Sequence, residues 1–283
     1  MRLLTYQTTE GPTAAIQVDE TLVPAGAVDA PASTVRGLLE ALDGGGLREL
    51  AGRAEDAEAR IPLAEATLCA PIPDAQKIIC MGLNYRDHAA ETGQEIPVAP
   101  IWFAKFTNSL TGSGQPIVLP AAHAKYVDYE AELALVIGRT AKHIAAEHAL
   151  SYLAGAMPFN DVSARDLQLQ SPLWTSGKAI DTFAPCGPAL VTLDEVGDLA
   201  SLELRTRING DVLQQGTTAN LIFGPAELIA WLSRTITLLP GDIIATGTPA
   251  GVGAIQGRFL RDGDTVEVEI DGLGTLVSPV RSE

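Results

Sequence analysis

Short apolar runs, many of them β-branched, alternate along the chain with glycine, proline and acidic turns. Near the N-terminus the runs 2–8, 14–18 and 21–23 read as strands separated by turn residues. The pattern then changes period. Leu38, Leu39 and Leu42 share a helical face, with Ser33 or Thr34 as the cap and Gly44-Gly45-Gly46 as the stop. A second helix is predicted over 47–60. The turn Pro71-Ile72-Pro73-Asp74 divides this stretch from the rest, which predicts a small unit over residues 1–70 and a larger one over 71–283. In the larger unit strands dominate: 77–83, 101–106, 117–119, 128–138, 189–192, 202–208, 243–246 and 265–270. Asn209-Gly210 and Asp271-Gly272 read as hairpin turns. Helices are predicted only over 145–153 and 226–238. The expected class is α+β, mostly β, with helices at the edges and no βαβ nucleotide fold.

The most informative run is Asp128-Tyr129-Glu130-Ala131-Glu132-Leu133-Ala134-Leu135-Val136-Ile137-Gly138. In a strand, alternate residues share a face. Tyr129, Ala131, Leu133, Leu135 and Ile137 make one face, plainly core. Asp128, Glu130, Glu132, Ala134 and Val136 make the other, acidic at first and then apolar, so the acids lie on a covered face. The run 265–270 supplies a contrast. There Glu267 and Glu269 are also two apart, but nothing on their face turns apolar, and a solvated face is expected. Two like charges roughly 7 Å apart on a covered face repel and are costly to desolvate. A divalent cation would remove both penalties, and hard oxygen ligands suit Mg²⁺, Mn²⁺ or Ca²⁺.

Charge supports the same reading. The 283 residues carry 19 Lys and Arg against 35 Asp and Glu, a net charge of −16. Such a surface repels nucleic acid and anionic lipid, so neither is expected as a partner. An anionic small substrate would need a local cation. Cys69, Cys80 and Cys186 are scattered, odd in number and without a CxxC spacing, which fits reduced core residues. No apolar run reaches the length of a membrane span, and the first residues lack the apolar core of a signal peptide. A cytoplasmic protein is expected.

Three further groups can carry chemistry. His88 and Glu91 are i, i+3, one face of a helical turn, and a carboxylate that orients an imidazole makes a general base. The same spacing also describes an ordinary surface pair. Asp161 reads either as a helix cap or as a third carboxylate ligand, with Arg165 one turn later free to pair with it or to reach a substrate carboxylate. Lys178 lies in a loop, where lysines are usually solvated. Thr246-Gly247-Thr248-Pro249-Ala250-Gly251-Val252-Gly253 is not a P-loop, but its backbone N–H groups and the Thr248 hydroxyl can meet an anion.

Five segments taken together resemble the fumarylacetoacetate hydrolase superfamily: Gly82-Leu83-Asn84-Tyr85 with His88; Asp128-Tyr129-Glu130-Ala131-Glu132-Leu133; Asn160-Asp161-Val162-Ser163-Ala164-Arg165-Asp166; Gly177-Lys178 with Asp181-Thr182-Phe183; and Thr246-Gly247-Thr248-Pro249. They stand in the family's order over roughly residues 75–275. The resemblance implies a mixed β-roll for the larger unit, a small α/β N-terminal extension, and a homodimer. It places metal ligands at Glu130, Glu132 and Asp161, with Mg²⁺ or Mn²⁺ as the ion. It places a catalytic pair at His88 and Glu91 on a lid, and substrate contacts at Arg165, Gln168, Lys178 and Thr248, with Lys105 a further member. The implied substrate is a small 2-oxo acid whose head chelates the cation.

On that basis the expected activity is hydrolysis of a carbon–carbon bond in an acylpyruvate- or fumarylpyruvate-like 2,4-diketo acid. His88 would activate water, and Lys178 together with the cation would stabilise the enolate that forms. The same site also suits oxaloacetate decarboxylation, or hydration or isomerisation of unsaturated 2-oxo acids. A non-catalytic oxo-acid-binding protein would keep the carboxylates but lack the base. Arg86, Phe106 and Trp174 are candidates for the distal wall of the pocket.

Overall fold

The structure is a computed structural model that describes residues 1–283. Its spine is a ten-stranded sheet in the order Ile61–Pro62, Thr21–Pro24, Gly11–Val18, Arg2–Thr8, Leu190–Thr192, Leu153–Asn160, Ala131–Ile137, Ile243–Ala245, Ile78–Gly82, Ile101–Lys105. A second sheet of five strands runs Asp211–Thr217, Glu203–Ile208, Thr265–Ile270, Gly274–Ser282, Ile117–Leu119. The mostly β, mixed-sheet class expected from the sequence is present.

The acidic run lies near the middle of the large sheet, and both of its faces are covered. Ala134 and Val136 join a core that also holds Leu38, Leu39, Leu47 and Leu50 from the N-terminal helices. Leu133, Leu135 and Ile137 join a second core with Leu228, Ile229 and Leu232 of the Pro225–Ser233 helix and Leu204, Val268 and Leu276 of the five-stranded sheet. Burial on both faces explains why the run turns continuously apolar after Glu132.

The boundary expected near residue 70 is not a division of the core. Arg2–Thr8 pairs antiparallel with Leu190–Thr192, and Leu3, Ile16, Leu38 and Leu50 share one cluster with Ile72, Ile78, Met157 and Ile243. The N-terminal strands extend the large sheet because three or four short strands alone would leave one face open to water.

Local differences from the expected elements have local causes. Thr34 caps the helix Val35–Ala41 by accepting from the Gly37 N–H, as expected. The glycine run that follows begins a helix, Gly44–Glu55, where a stop was expected. The Asp43 carboxylate accepts from the N–H groups of Gly45 and Gly46, and that cap outweighs the weak helix propensity of glycine. The 145–153 segment is a short helix, Ala146–Ala149, followed by a 3₁₀ turn, because Leu153 already belongs to a strand. The helix expected over 226–238 ends earlier, as Pro225–Ser233. Asn209 and Gly210 both adopt positive φ (53° and 89°), as a tight hairpin turn requires.

Candidate metal centre and its pocket

The acidic run is not one unbroken strand. Val127–Asp128 pairs with Ser163–Ala164, and Ala131–Ile137 pairs with Leu153–Asn160. The register is common to both ladders: Asp128 lies opposite Ser163 and Ala131 opposite Asn160. Glu130 therefore falls opposite Asp161. Across the gap the Asp161 N–H donates to the Glu130 carbonyl at 2.9 Å, and the Asn160 side chain accepts from the Glu130 N–H at 3.0 Å. Like charges directly opposite in a sheet repel. Here a third carboxylate, Glu132, joins them, and oxygen atoms of all three lie within 4.8 Å of one another. All three residues are buried. Asp161 is not a helix cap; the next helix, Arg165–Gln168, starts after Ala164.

Three cations hold two of these carboxylates. Lys178 Nζ lies 2.7 Å from both Glu130 Oε2 and Asp161 Oδ2. Arg165 reaches Glu130 Oε1 at 2.7 Å. Lys105 donates to Asp161 and to the Val162 carbonyl. Burial alone would raise the Glu130 carboxyl, but Lys178 and Arg165 overcome it and hold the group below the carboxylate range. Burial likewise works against the Lys178 ammonium, and Asp161 and Glu130 outweigh it, so Lys178 stays charged.

Glu132 differs. It accepts from the Gly247 N–H at 2.8 Å and has no ion-pair partner. Burial, then Asp161 and Glu130, push its carboxyl well above the usual range. The donor set thus has one buried carboxylate with no direct ion-pair partner, and Lys178 offsets only part of the repulsion on it. Three buried carboxylates at this spacing, one lacking a counter-ion, fit a hard divalent cation. Glu130, Glu132 and Asp161 are the residues that would hold it.

The elements around the trio explain the motifs. Gly177 permits the short helix Thr175–Lys178 to lie on Arg165–Gln168; a Cβ there would meet the Gln168 nitrogen at 2.5 Å and the Ala164 oxygen at 2.6 Å. That close approach brings Lys178 down onto the carboxylates. Lys178 Nζ also lies 5.0 Å from the centre of the Phe103 ring. His88 and Glu91 share a face of the helix Arg86–Thr92, with Nδ1 2.7 Å from Glu91 Oε1. A carboxylate acceptor at Nδ1 places the ring proton there and leaves Nε2 as the free acceptor. The second Glu91 oxygen accepts from the Gly251 N–H at 2.9 Å, which fixes the carboxylate in turn.

A cavity of about 410 Å³ connects these groups, lined by His88, Glu130, Glu132, Arg165, Gln168, Lys178 and Thr248. Of the expected catalytic and substrate residues, His88, Arg165, Gln168, Lys178 and Thr248 thus share one cavity, while Glu91 stands behind His88 and Lys105 lies apart. Lys105, expected to touch substrate, lies behind Asp161 as its counter-ion and does not line the cavity. Its ammonium is already used. Of the three distal-wall candidates, Trp174 lines the cavity, whereas Phe106 and Arg86 are exposed and do not.

Two supporting residues escaped the sequence reading. Asp128, the first acid of the run, does not join the trio. One oxygen accepts from the Tyr129 and Gly253 N–H groups (2.8 and 2.7 Å), and the other from Ala254 N–H and the Arg165 guanidinium (2.9 and 2.7 Å). It holds Arg165 toward Glu130. Gln214 donates to Thr248 Oγ1 (2.9 Å) and Pro249 O, and accepts from the Ala131 N–H. A buried glutamine in the largely polar strand Asp211–Thr217 is a weak signal, and nothing nearby in sequence names its partners.

A family profile described as the C-terminal region of fumarylacetoacetate (FAA) hydrolase matches residues 77–281. The chain belongs to the fumarylacetoacetate hydrolase family. Among curated relatives, rat "Oxaloacetate tautomerase Fahd2a, mitochondrial" is 44% identical over 223 residues, covering 78% of this chain and 71% of that protein. Two solved structures superpose over the full length of both chains: the fumarylacetoacetate hydrolase of Exiguobacterium antarcticum (TM-score 0.88, 31% identity) and the maleylpyruvate hydrolase of Sphingobium sp. SYK-6 (TM-score 0.84, 32% identity). The fumarylacetoacetate hydrolase family is one of enzymes, and the buried Glu130–Glu132–Asp161 group sits where a divalent ion can be held. No helix of the chain is long and apolar enough to cross a membrane.

Proposed function

We propose that the protein is a divalent-metal-dependent hydrolase that splits a carbon–carbon bond in an acylpyruvate-like 2,4-diketo acid. The observation that carries this reading is that His88, held by Glu91, lines the same cavity as Glu130 and Glu132 of the acidic trio. A bound Mg²⁺ or Mn²⁺ would act as a Lewis acid toward the 2-oxo-carboxylate head. The chain's own residues do the rest. Arg165, held between Asp128 and Glu130, and Gln168, which accepts from Arg165 at 2.9 Å, orient the head. The His88 Nε2 atom takes a proton from water as the water oxygen bonds to the distal acyl carbon. The bond between that carbon and C3 breaks, and its electron pair goes to the pyruvate fragment. Lys178 offsets the charge that develops there. His88 then returns the proton to C3. The products are pyruvate and a carboxylic acid, which ionises.

A second reading is favoured by the 44% identical tautomerase: proton transfer at C3 of oxaloacetate without bond cleavage. His88 would serve there too, acting on carbon in place of water. Incubation with acetylpyruvate and with enol-oxaloacetate, with and without EDTA, separates the two. Hydrolysis predicts pyruvate and acetate from acetylpyruvate, lost in EDTA and lowered by about 10²-fold or more in His88→Ala. Tautomerisation with intact acetylpyruvate would establish the second reading, and turnover unaffected by EDTA would count against both.

A further inference from the structure

Beyond the carboxylates and cations the cavity changes character. Its inner wall is formed by Met81, Phe103, Trp174 and Val252, and its mouth by Leu169 and Ile255. The remaining polar side chains away from the trio, Thr92 and Gln94, are uncharged. Leu169 and Ile255 are 78% and 51% exposed although they line a cavity, so apolar surface stands open to water at the entrance. Trp174 is seated firmly. Gly82 leaves room for it, since a Cβ there would come within 2.2 Å of the indole Cζ3. Phe103 packs edge-on against it, centroids 5.7 Å apart at 70°. The Thr175 hydroxyl bonds the Ala104 carbonyl at 3.2 Å and ties the segment down.

The cations that line the cavity, Lys178 and Arg165, stand at its carboxylate end. Lys178 bridges Glu130 and Asp161, and Arg165 bridges Asp128 and Glu130. A substrate carboxylate placed farther out, against Trp174, Leu169 and Ile255, would lose its water and find no counter-ion among the lining residues there, which is costly. An alkyl or acyl chain would instead cover Leu169 and Ile255 and gain from burial.

We infer that Trp174, braced by Phe103, forms with Leu169 and Ile255 a tail subsite that selects 2-oxo acids with an uncharged apolar tail over those with a second carboxylate. This rests on the head-down binding of the proposed function and narrows its substrate class, against dianions such as oxaloacetate.

The test is calorimetric titration of the Mn²⁺-loaded protein with three probes: oxalate, which is head alone; 2-oxohexanoate, with an apolar tail; and 2-oxoadipate, of equal length but with a terminal carboxylate. Wild type is expected to bind 2-oxohexanoate roughly tenfold or more tighter than 2-oxoadipate. Trp174→Ala should remove most of that ratio while leaving oxalate affinity unchanged, and Trp174→Phe should restore part of it. Equal or tighter binding of the dianion, or a ratio that survives Trp174→Ala, would overturn the subsite while oxalate binding upheld the head site. Failure of oxalate to bind would overturn the head site, and the subsite with it.

Discussion

Asp128 shows how one carboxylate can serve a site without entering it. Its two oxygens are used by three backbone N–H groups and the Arg165 guanidinium, so Arg165 faces Glu130 and the cavity in a fixed pose. Asp128→Asn keeps the shape but turns an N–H₂ toward a cation. Losing that charge-assisted contact costs about 1.5–3 kcal/mol. The expected result is a rise in KM of roughly ten- to a hundredfold for the 2-oxo acid with a smaller change in kcat, read from steady-state kinetics. An unchanged KM would mean that Arg165 needs no such support. The sequence could show that Asp128 belongs to an acidic face. It could not show that the strand parts at Tyr129 and Glu130, which separates Asp128 from Glu130 and Glu132. The parting depends on Asn160 and Asp161, some thirty residues away. The pairing of Lys105 with Asp161 is hidden for a related reason: whether an ammonium faces substrate or a neighbouring carboxylate depends on packing that one strand does not encode.

Among the elements, the strand Leu153–Asn160 carries Asp161 at its end and is clamped between Ala131–Ile137 and Leu190–Thr192. Gly155 makes this possible, since a Cβ there would lie 1.9 Å from the Val191 carbonyl oxygen. The atoms in the way are backbone atoms of Val191 and Thr192, so Gly155→Ala should destabilise by about 1–3 kcal/mol or more, seen as a lower midpoint in denaturant unfolding. A wild-type midpoint would show that the strands spread freely. Elements of this kind were largely legible. The alternation in 202–208 and 265–270, the apolar strand that follows Glu130 and the Asn209-Gly210 turn appear where the period and turn chemistry place them. The solvated face expected for Glu267 and Glu269 is half-buried, because Arg205 and Arg207 of the neighbouring strand lie across it and pair with Glu269. The glycine run at 44–46 misled because a single capping carboxylate, Asp43, decides its state.

For the whole molecule, the ten-stranded sheet joins what the sequence divides, and its far edge is the strand Ile101–Lys105. That strand runs beside the cavity through Phe103 and leaves Ile101 and Trp102 exposed, 40% and 46%. An open edge with apolar side chains is a pairing surface. We propose that a second copy covers it, giving the homodimer that the family resemblance implies. Light scattering should return twice the 29.7 kDa chain mass, and Trp102→Lys should shift it toward one; a wild-type monomer would refute the assignment. Sequence periodicity carries no information on this, since an exposed edge and a paired one share the same alternation.

The central claim is that Glu130, Glu132 and Asp161 together hold one divalent ion. Anomalous scattering from crystals grown in MnCl₂ tests it most directly. One strong manganese peak is expected among oxygens of all three side chains, within bonding distance of each. A map with no peak there, or with manganese only on surface carboxylates, would contradict it.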